Sequence, residues 1–195
     1  MTFRLGLTGS IGMGKSTTAA MFKESGIAVW DADAAVHRLY AKGGAAVDPI
    51  QQLCPQAVVD GNVSRETLKA AIATETGLLP RIEAIVHPLV AQDRAAFLSA
   101  ATTDIVVLDI PLLFEKSSQT EFDATLLVTA PAKLQRQRVM ARPGMTEAHF
   151  QTILARQMPD DRKRALATHI VETLDIASTR AYITALIAYI RGRHA

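Results

Sequence analysis

Leu5-Gly6-Leu7-Thr8-Gly9-Ser10-Ile11-Gly12-Met13-Gly14-Lys15-Ser16-Thr17 decides the reading of this chain. Phe3 to Thr8 is a short apolar run and reads as a strand. Residues 9–16 match the pattern G-x-x-x-x-G-K-[ST]. A helix is predicted from Lys15 to about Ser25, ended by Gly26. Glycines let such a loop curl until successive N–H groups converge on one anion. The helix start adds its positive dipole end. Lys15 can reach the β- and γ-phosphates as a mobile point charge, and Ser16 places a hydroxyl on Mg²⁺. The bland alternative is a glycine-rich turn with a solvated lysine. The strand before the motif and the helix after it argue for phosphate binding instead. Gly9, Gly12, Met13, Gly14, Lys15, Ser16 and Thr17 are therefore the expected contacts for a nucleoside triphosphate.

Outward from the loop, short apolar runs alternate with helical stretches, the pattern of an α/β protein with a parallel sheet. Ile27 to Trp30 reads as a second strand with Asp31-Ala32-Asp33 at its C-terminal end, before a helix that stops near Gly43-Gly44. Ile105 to Leu108, ended by Asp109, and Ala124 to Thr129 are continuous apolar runs that suit strands covered on both faces. Ile170-Val171 is a weak last strand, which makes five. Ala177 to Ile190 is an amphipathic helix carrying Ile183, Leu186, Ile187 and Ile190 on one face. Pro131 suits the first turn of a helix reaching about Ala141, and Thr146 caps a further helix through Gln157. Residues 45–100 differ. They are Ala-rich and mostly helical, with a turn at Asp60-Gly61-Asn62 and Ser64 as N-cap of a helix to Ala73. Pro88 predicts a break or kink near His87 in the stretch Leu78 to Ala100. The expected organisation is a single domain, with a core of 1–44 and 101–195 and a helical insertion over about 45–100. A lid is expected over about 138–158.

Composition bounds the function. The chain has 195 residues, 49% of them hydrophobic and 21% charged, and a formal net charge of +2. That is an ordinary globular composition, which excludes disorder as the main state. Cys54 is the only cysteine, so no disulfide framework exists. The near-neutral charge balance argues against nucleic acid as a partner. No apolar run approaches a membrane span, and Met1 to Gly6 lacks the pattern of a secretory signal, so a cytoplasmic location is expected. Oligomeric state is left open.

The loop implies triphosphate binding and leaves the acceptor open. No Asn-Lys or Thr-Lys pair exists to start a guanine-reading motif, which disfavours a GTPase. A mechanical ATPase usually needs partner domains. A small-molecule kinase fits the length, the insertion and the Arg-rich stretch 136–164.

The chain resembles the dephospho-coenzyme A kinase family. The resemblance is carried by Leu7 to Ser16, Asp31-Ala32-Asp33, Asp60-Gly61-Asn62-Val63-Ser64-Arg65, and Ile85-Val86-His87-Pro88. Asp109-Ile110-Pro111-Leu112-Leu113-Phe114-Glu115, then Gln135 to Arg142 and Gln157, complete it in family order. It implies a phosphate-loop kinase fold and transfer of the γ-phosphoryl of ATP, with Mg²⁺, to the ribose 3′-hydroxyl of dephospho-coenzyme A. Another phosphate-loop nucleoside or nucleotide kinase is the alternative.

Several residues carry two readings. Asp33 is either a helix N-cap or a carboxylate that accepts the 3′-hydroxyl proton; the resemblance implies the second. Asp31 either holds Mg²⁺-bound water or caps the same turn. Asp109 stands where a Walker B carboxylate would bind Mg²⁺ through water, or is a turn-forming Asp before Pro111. Arg65 is a solvated first-turn arginine or a contact to the acceptor's phosphates. His87 reads as a general base or, more commonly at such a position, a structural hydrogen-bonder; the resemblance implies a substrate-side residue and assigns it no proton role. Leu113 and Phe114 are core or, by resemblance, an acceptor pocket wall. Arg138 and Arg142, four apart, are expected on one helix face closing over the triphosphate, with Arg142 as the catalytic contact. Arg156, Arg162, Lys163 and Arg164 read as surface charge. The family's usual Asp before the last strand and Asn after it are missing around Thr168 to Glu172, so no adenine-contacting side chain is assigned.

Overall fold

The computed structural model describes residues 2–194. In chain order the elements are β1 (Phe3–Thr8), α1 (Lys15–Glu24), β2 (Ala28–Asp31), α2 (Ala32–Tyr40) and α3 (Val47–Leu53). β3 (Val58–Val59), β4 (Asn62–Val63), α4 (Arg65–Thr74) and α5 (Leu78–Ala100) follow. The remainder is β5 (Ile105–Asp109), β6 (Ala124–Thr129), α6 (Ala132–Met140), α7 (Glu147–Leu154), α8 (Asp160–Leu166), β7 (His169–Glu172) and α9 (Ile176–His194). The chain divides into two compact units. One holds the residues up to Trp30 and those from Ala101 on; the other is Asp31–Ala100.

The first unit is built on a five-stranded parallel sheet in the order β2-β5-β1-β6-β7, flanked by helices. β1 lies at its centre, with Leu5 opposite Val107 of β5 and Ala124 of β6. Every residue of β5 and β6 is buried, as continuous apolar runs require when helices cover both faces. Leu5, Leu7, Leu126 and Val128 meet Phe22 of α1 and Ile183, Leu186, Ile187 and Ile190 of α9 in one core. The expected apolar face of the C-terminal helix is that core face.

The second unit is helical, with its own core of Leu39, Tyr40, Val47, Ile50, Leu68, Leu78, Ile82 and Val86. The turn at Asp60-Gly61 closes a two-residue-per-strand hairpin, β3 against β4. Both turn residues take positive φ, 51° and 79°, as a tight hairpin of this hand demands. Ser64 caps α4 by accepting the Thr67 N–H. Of the break or kink expected near His87, a break does not occur: α5 runs from Leu78 to Ala100 with Pro88 inside it. Leu78, Ile82 and Val86, one turn apart, bury the stripe leading up to the proline. That packing outweighs the one backbone hydrogen bond a proline cannot make.

Candidate active site

β1 ends at Thr8 and the chain turns through Gly9–Gly14 into α1, whose first residue is Lys15. Close approach forces glycine here. A Cβ at Gly9 would stand 2.6 Å from the Val128 carbonyl oxygen. At Gly12, with φ +76°, it would stand 2.5 Å from Val139 Cγ2. Gly14, at φ +94°, is the α1 N-cap, and its carbonyl accepts the first helical hydrogen bond, from Thr18 N–H at 3.0 Å. The N–H groups of Lys15, Ser16 and Thr17 head the helix and have no intrahelical acceptor, so they form the donor cluster an anion needs.

Neighbouring segments hold the loop. Gln157 Oε1 accepts the Ile11 N–H at 3.1 Å, and Gln135 Nε2 donates to the Ile11 carbonyl at 2.8 Å. Thr173 Oγ1 donates to the Met13 carbonyl at 2.7 Å. Lys15 Nζ is ion-paired with Asp109, which ends β5 beside β1 and is 2% exposed. The structure thus brings together the loop, its lysine and the expected Walker B carboxylate.

Three expectations change. Lys163 is not surface charge: it is fully buried, paired with Glu115 Oε1 at 2.9 Å and donating to Ser10 Oγ at 3.1 Å. Burial pushes the Glu115 carboxyl up, but the Lys163 ammonium and the Met158 N–H outweigh that and hold it below its ordinary value. Arg138 and Arg142 do not share a helix face, because α6 ends at Met140 and Arg142 lies exposed beyond it. Arg138 donates instead to Thr173 Oγ1 at 2.8 Å and to the Thr173 carbonyl at 2.6 Å. Leu113 and Phe114 are core residues, 0% and 1% exposed, while Leu112 is the solvent-facing member of that run. Thr173, buried and directly after the last residue of β7, is a functional candidate that the sequence does not mark; no local pattern singles out a threonine that bonds 160 residues away.

In the helical unit, Asp31 is the N-cap of α2, its carboxylate accepting the Ala34 N–H at 2.9 Å. The capping role is thereby filled two residues before Asp33, which is exposed in the first turn. Arg65 opens α4, donates to the Asp33 carbonyl at 3.3 Å and lies 6.0 Å from the centre of the Tyr40 ring. These residues line an open cleft of about 330 Å³ with Leu68, Lys69 and Ile72. Burial pushes the Tyr40 hydroxyl up, and the Arg65 charge opposes it. His87 lies on α5 with its side chain exposed. Among the described residues no cluster of three or more His, Cys, Asp or Glu is placed to hold a metal by itself, and no helix is long and apolar enough to cross a membrane.

A donor-lined loop at the C-terminal end of the central strand of a parallel sheet, with Lys15 and Ser16 opening the next helix, places the chain in the phosphate-loop kinase class. The family model described as dephospho-CoA kinase, CoaE, matches residues 3–177. The dephospho-CoA kinase of Cereibacter sphaeroides is 67% identical over 97% of this chain and 96% of that one. That of Ruegeria pomeroyi is 56% identical over 98% of each. A crystal structure of a Thermus thermophilus protein superposes with a TM-score of 0.84 at 35% identity, over 96% of this chain and 97% of that one. The chain belongs to the dephospho-CoA kinase family.

Proposed function

We propose that this protein transfers the γ-phosphoryl group of ATP to the ribose 3′-hydroxyl of dephospho-coenzyme A, giving coenzyme A and ADP. The observation that carries the reading is the Gly9–Gly14 loop with Lys15 at the head of α1, in a chain of this family. Loop and helix N–H groups bind the phosphates, and Lys15 follows charge onto the β- and γ-oxygens. The new bond joins the 3′-oxygen to the γ-phosphorus, and the bond from that phosphorus to the β,γ-bridging oxygen breaks. Asp33 takes the 3′-hydroxyl proton and aims the oxygen; with a loose transition state, orientation matters more than base strength.

Ser16 and Asp109 offer a hydroxyl and a carboxylate, hard oxygen donors suited to Mg²⁺, and these two residues would hold it with the phosphates. When bound, the ion neutralises charge on the β- and γ-oxygens. Arg65, beside Asp33 in the cleft, binds acceptor phosphate, and His87 serves the acceptor side. Arg142, in the segment 138–158, closes over the γ-phosphoryl group, and that closure keeps water from taking the phosphoryl group.

A steady-state assay tests the reading. With ATP and Mg²⁺, dephospho-coenzyme A should be consumed one-for-one with ADP formed, and nucleosides should not be phosphorylated. Robust phosphorylation of a nucleoside with none of dephospho-coenzyme A would make this a nucleoside kinase. ATP binding without turnover of either acceptor would make it a nucleotide sensor.

A further inference from the structure

The loop is gripped from outside by a cation that the transfer chemistry leaves unused. Lys163 lies on α8, completely buried, yet it carries an ammonium bonded to Glu115 Oε1 at 2.9 Å and Ser10 Oγ at 3.1 Å. Ser10 is the second residue of the loop and only 7% exposed. Glu115 Oε1 also accepts the Met158 N–H at 2.8 Å, and Gln157 takes the Ile11 N–H. The segment 157–163 therefore holds two consecutive loop residues, one by its hydroxyl and one by its peptide.

Stability alone is a weak reason for such an arrangement. Removing two ions from water commonly costs more than their attraction returns, and apolar residues of the same volume avoid that cost. The pair is also lopsided: Oε1 of Glu115 takes both donors, while its buried Oε2 has no hydrogen bond among the described residues. What the ammonium does secure is the position of Ser10. Its charge is weakly screened in the interior and adds to the field of the loop N–H groups.

We propose that Lys163 is a positioning residue for phosphoryl transfer. Through Ser10 and Glu115 it sets the curvature of the Gly9–Gly14 loop that receives the triphosphate. The inference rests on reading the chain as an ATP-dependent kinase.

Ser10→Ala removes one acceptor and leaves the buried pair intact. Lys163→Met with Glu115→Gln removes the ammonium without stranding a buried carboxylate. ATP affinity by titration calorimetry is measured with Tm and the acceptor KM. Ser10→Ala should weaken ATP binding several-fold, and the double variant by about tenfold or more, as loss of a hydrogen bond to a charged group implies. Combining all three changes should add no further loss, because they act through one contact. The acceptor KM should stay within about twofold. A folded double variant that binds ATP like the wild type overturns the inference. Unaltered affinity in Ser10→Ala overturns it whatever becomes of the double variant. A wild-type protein that binds no ATP would instead sink the functional reading, and this inference with it.

Discussion

The ammonium of Lys15 rests on the carboxylate of Asp109, the residue that ends β5 and lies in register with Leu7 of β1. One lysine thus has two anionic partners to choose from, this carboxylate and a triphosphate in the loop. Asp109→Asn removes the competitor. ATP should bind more tightly to the variant in EDTA, by up to about tenfold, while transfer with Mg²⁺ falls at least about tenfold for want of the carboxylate. The Lys15 side chain keeps 17% exposure and can turn toward water, so the stability loss should stay near 1–3 kcal/mol, about the value of a charged hydrogen bond. Weaker ATP binding in EDTA would show that Asp109 supports the loop and does not compete with the nucleotide.

Asp33→Asn separates chemistry from architecture. Asp31 already caps α2, so the helix keeps its cap. The first-turn charge of Asp33 contributes at most about 1 kcal/mol against the helix dipole. The variant should therefore melt close to wild type and bind ATP normally, while kcat falls by about a hundredfold or more. Single-turnover transfer beside a calorimetric ATP titration makes the comparison. Unchanged transfer would remove Asp33 from the mechanism.

What the sequence made legible, and what it hid, follows from how far each signal reaches along the chain. The phosphate loop is local: eight consecutive residues, glycines where close approach or positive φ excludes a side chain, a strand before and a helix after. The buried strands and the α9 face are local too, the strands marked by continuous apolar runs and the helix face by its periodicity. Lys163 was hidden because Asp160-Asp161-Arg162-Lys163-Arg164 reads as a solvated charge run. Its burial is decided by Ser10, 153 residues away, and by Glu115. Pro88 fails to end α5 for the same reason: the local cost of a lost backbone hydrogen bond is outweighed by the buried stripe of Leu78, Ile82 and Val86. Arg138 and Arg142 are separated by where α6 stops, at Met140, and helix ends are the least certain feature of any sequence pattern.

The Glu115–Lys163 pair should shape acid stability. Burial raises the Glu115 carboxyl, and its bonds to Lys163 and the Met158 N–H lower it by more, so its folded value lies below the ordinary one. A depressed carboxyl contributes stability that is fully present above the unfolded pKa of about 4.3 and is lost as pH falls through the folded value. Wild-type Tm should therefore drop on acidification below about pH 4 more steeply than that of Glu115→Gln. The variant should start from a lower Tm at pH 7, since Lys163 loses its counter-charge. Exposed carboxylates such as Asp104 and Asp175 titrate alike in both proteins and cancel in the difference. Parallel melting curves from pH 7 to pH 3 would remove the pair from the acid transition.

Arg138 and Arg142 should respond to alanine in opposite ways, because their surroundings differ. Arg138 is built into the fold: its guanidinium holds the side chain and carbonyl of Thr173, and Thr173 in turn holds the Met13 carbonyl of the phosphate loop. Arg138→Ala should lower stability by about 1–3 kcal/mol and raise the KM for ATP, since loop geometry and fold fail together. Arg142 stands exposed beyond the end of α6, beside Pro143-Gly144. A long cation in that place does little for the folded ground state, so Arg142→Ala should leave stability within about 0.5 kcal/mol of wild type. In the role proposed for it, Arg142 acts in the transition state, where charge spreads over the transferred group, and kcat of the variant should drop about a hundredfold or more. Paired measurements of Tm and kcat on the two variants distinguish the roles. If Arg142→Ala keeps wild-type kcat while Arg138→Ala loses it at unchanged ATP KM, the transition-state contact belongs to Arg138, which must then leave Thr173 during the reaction.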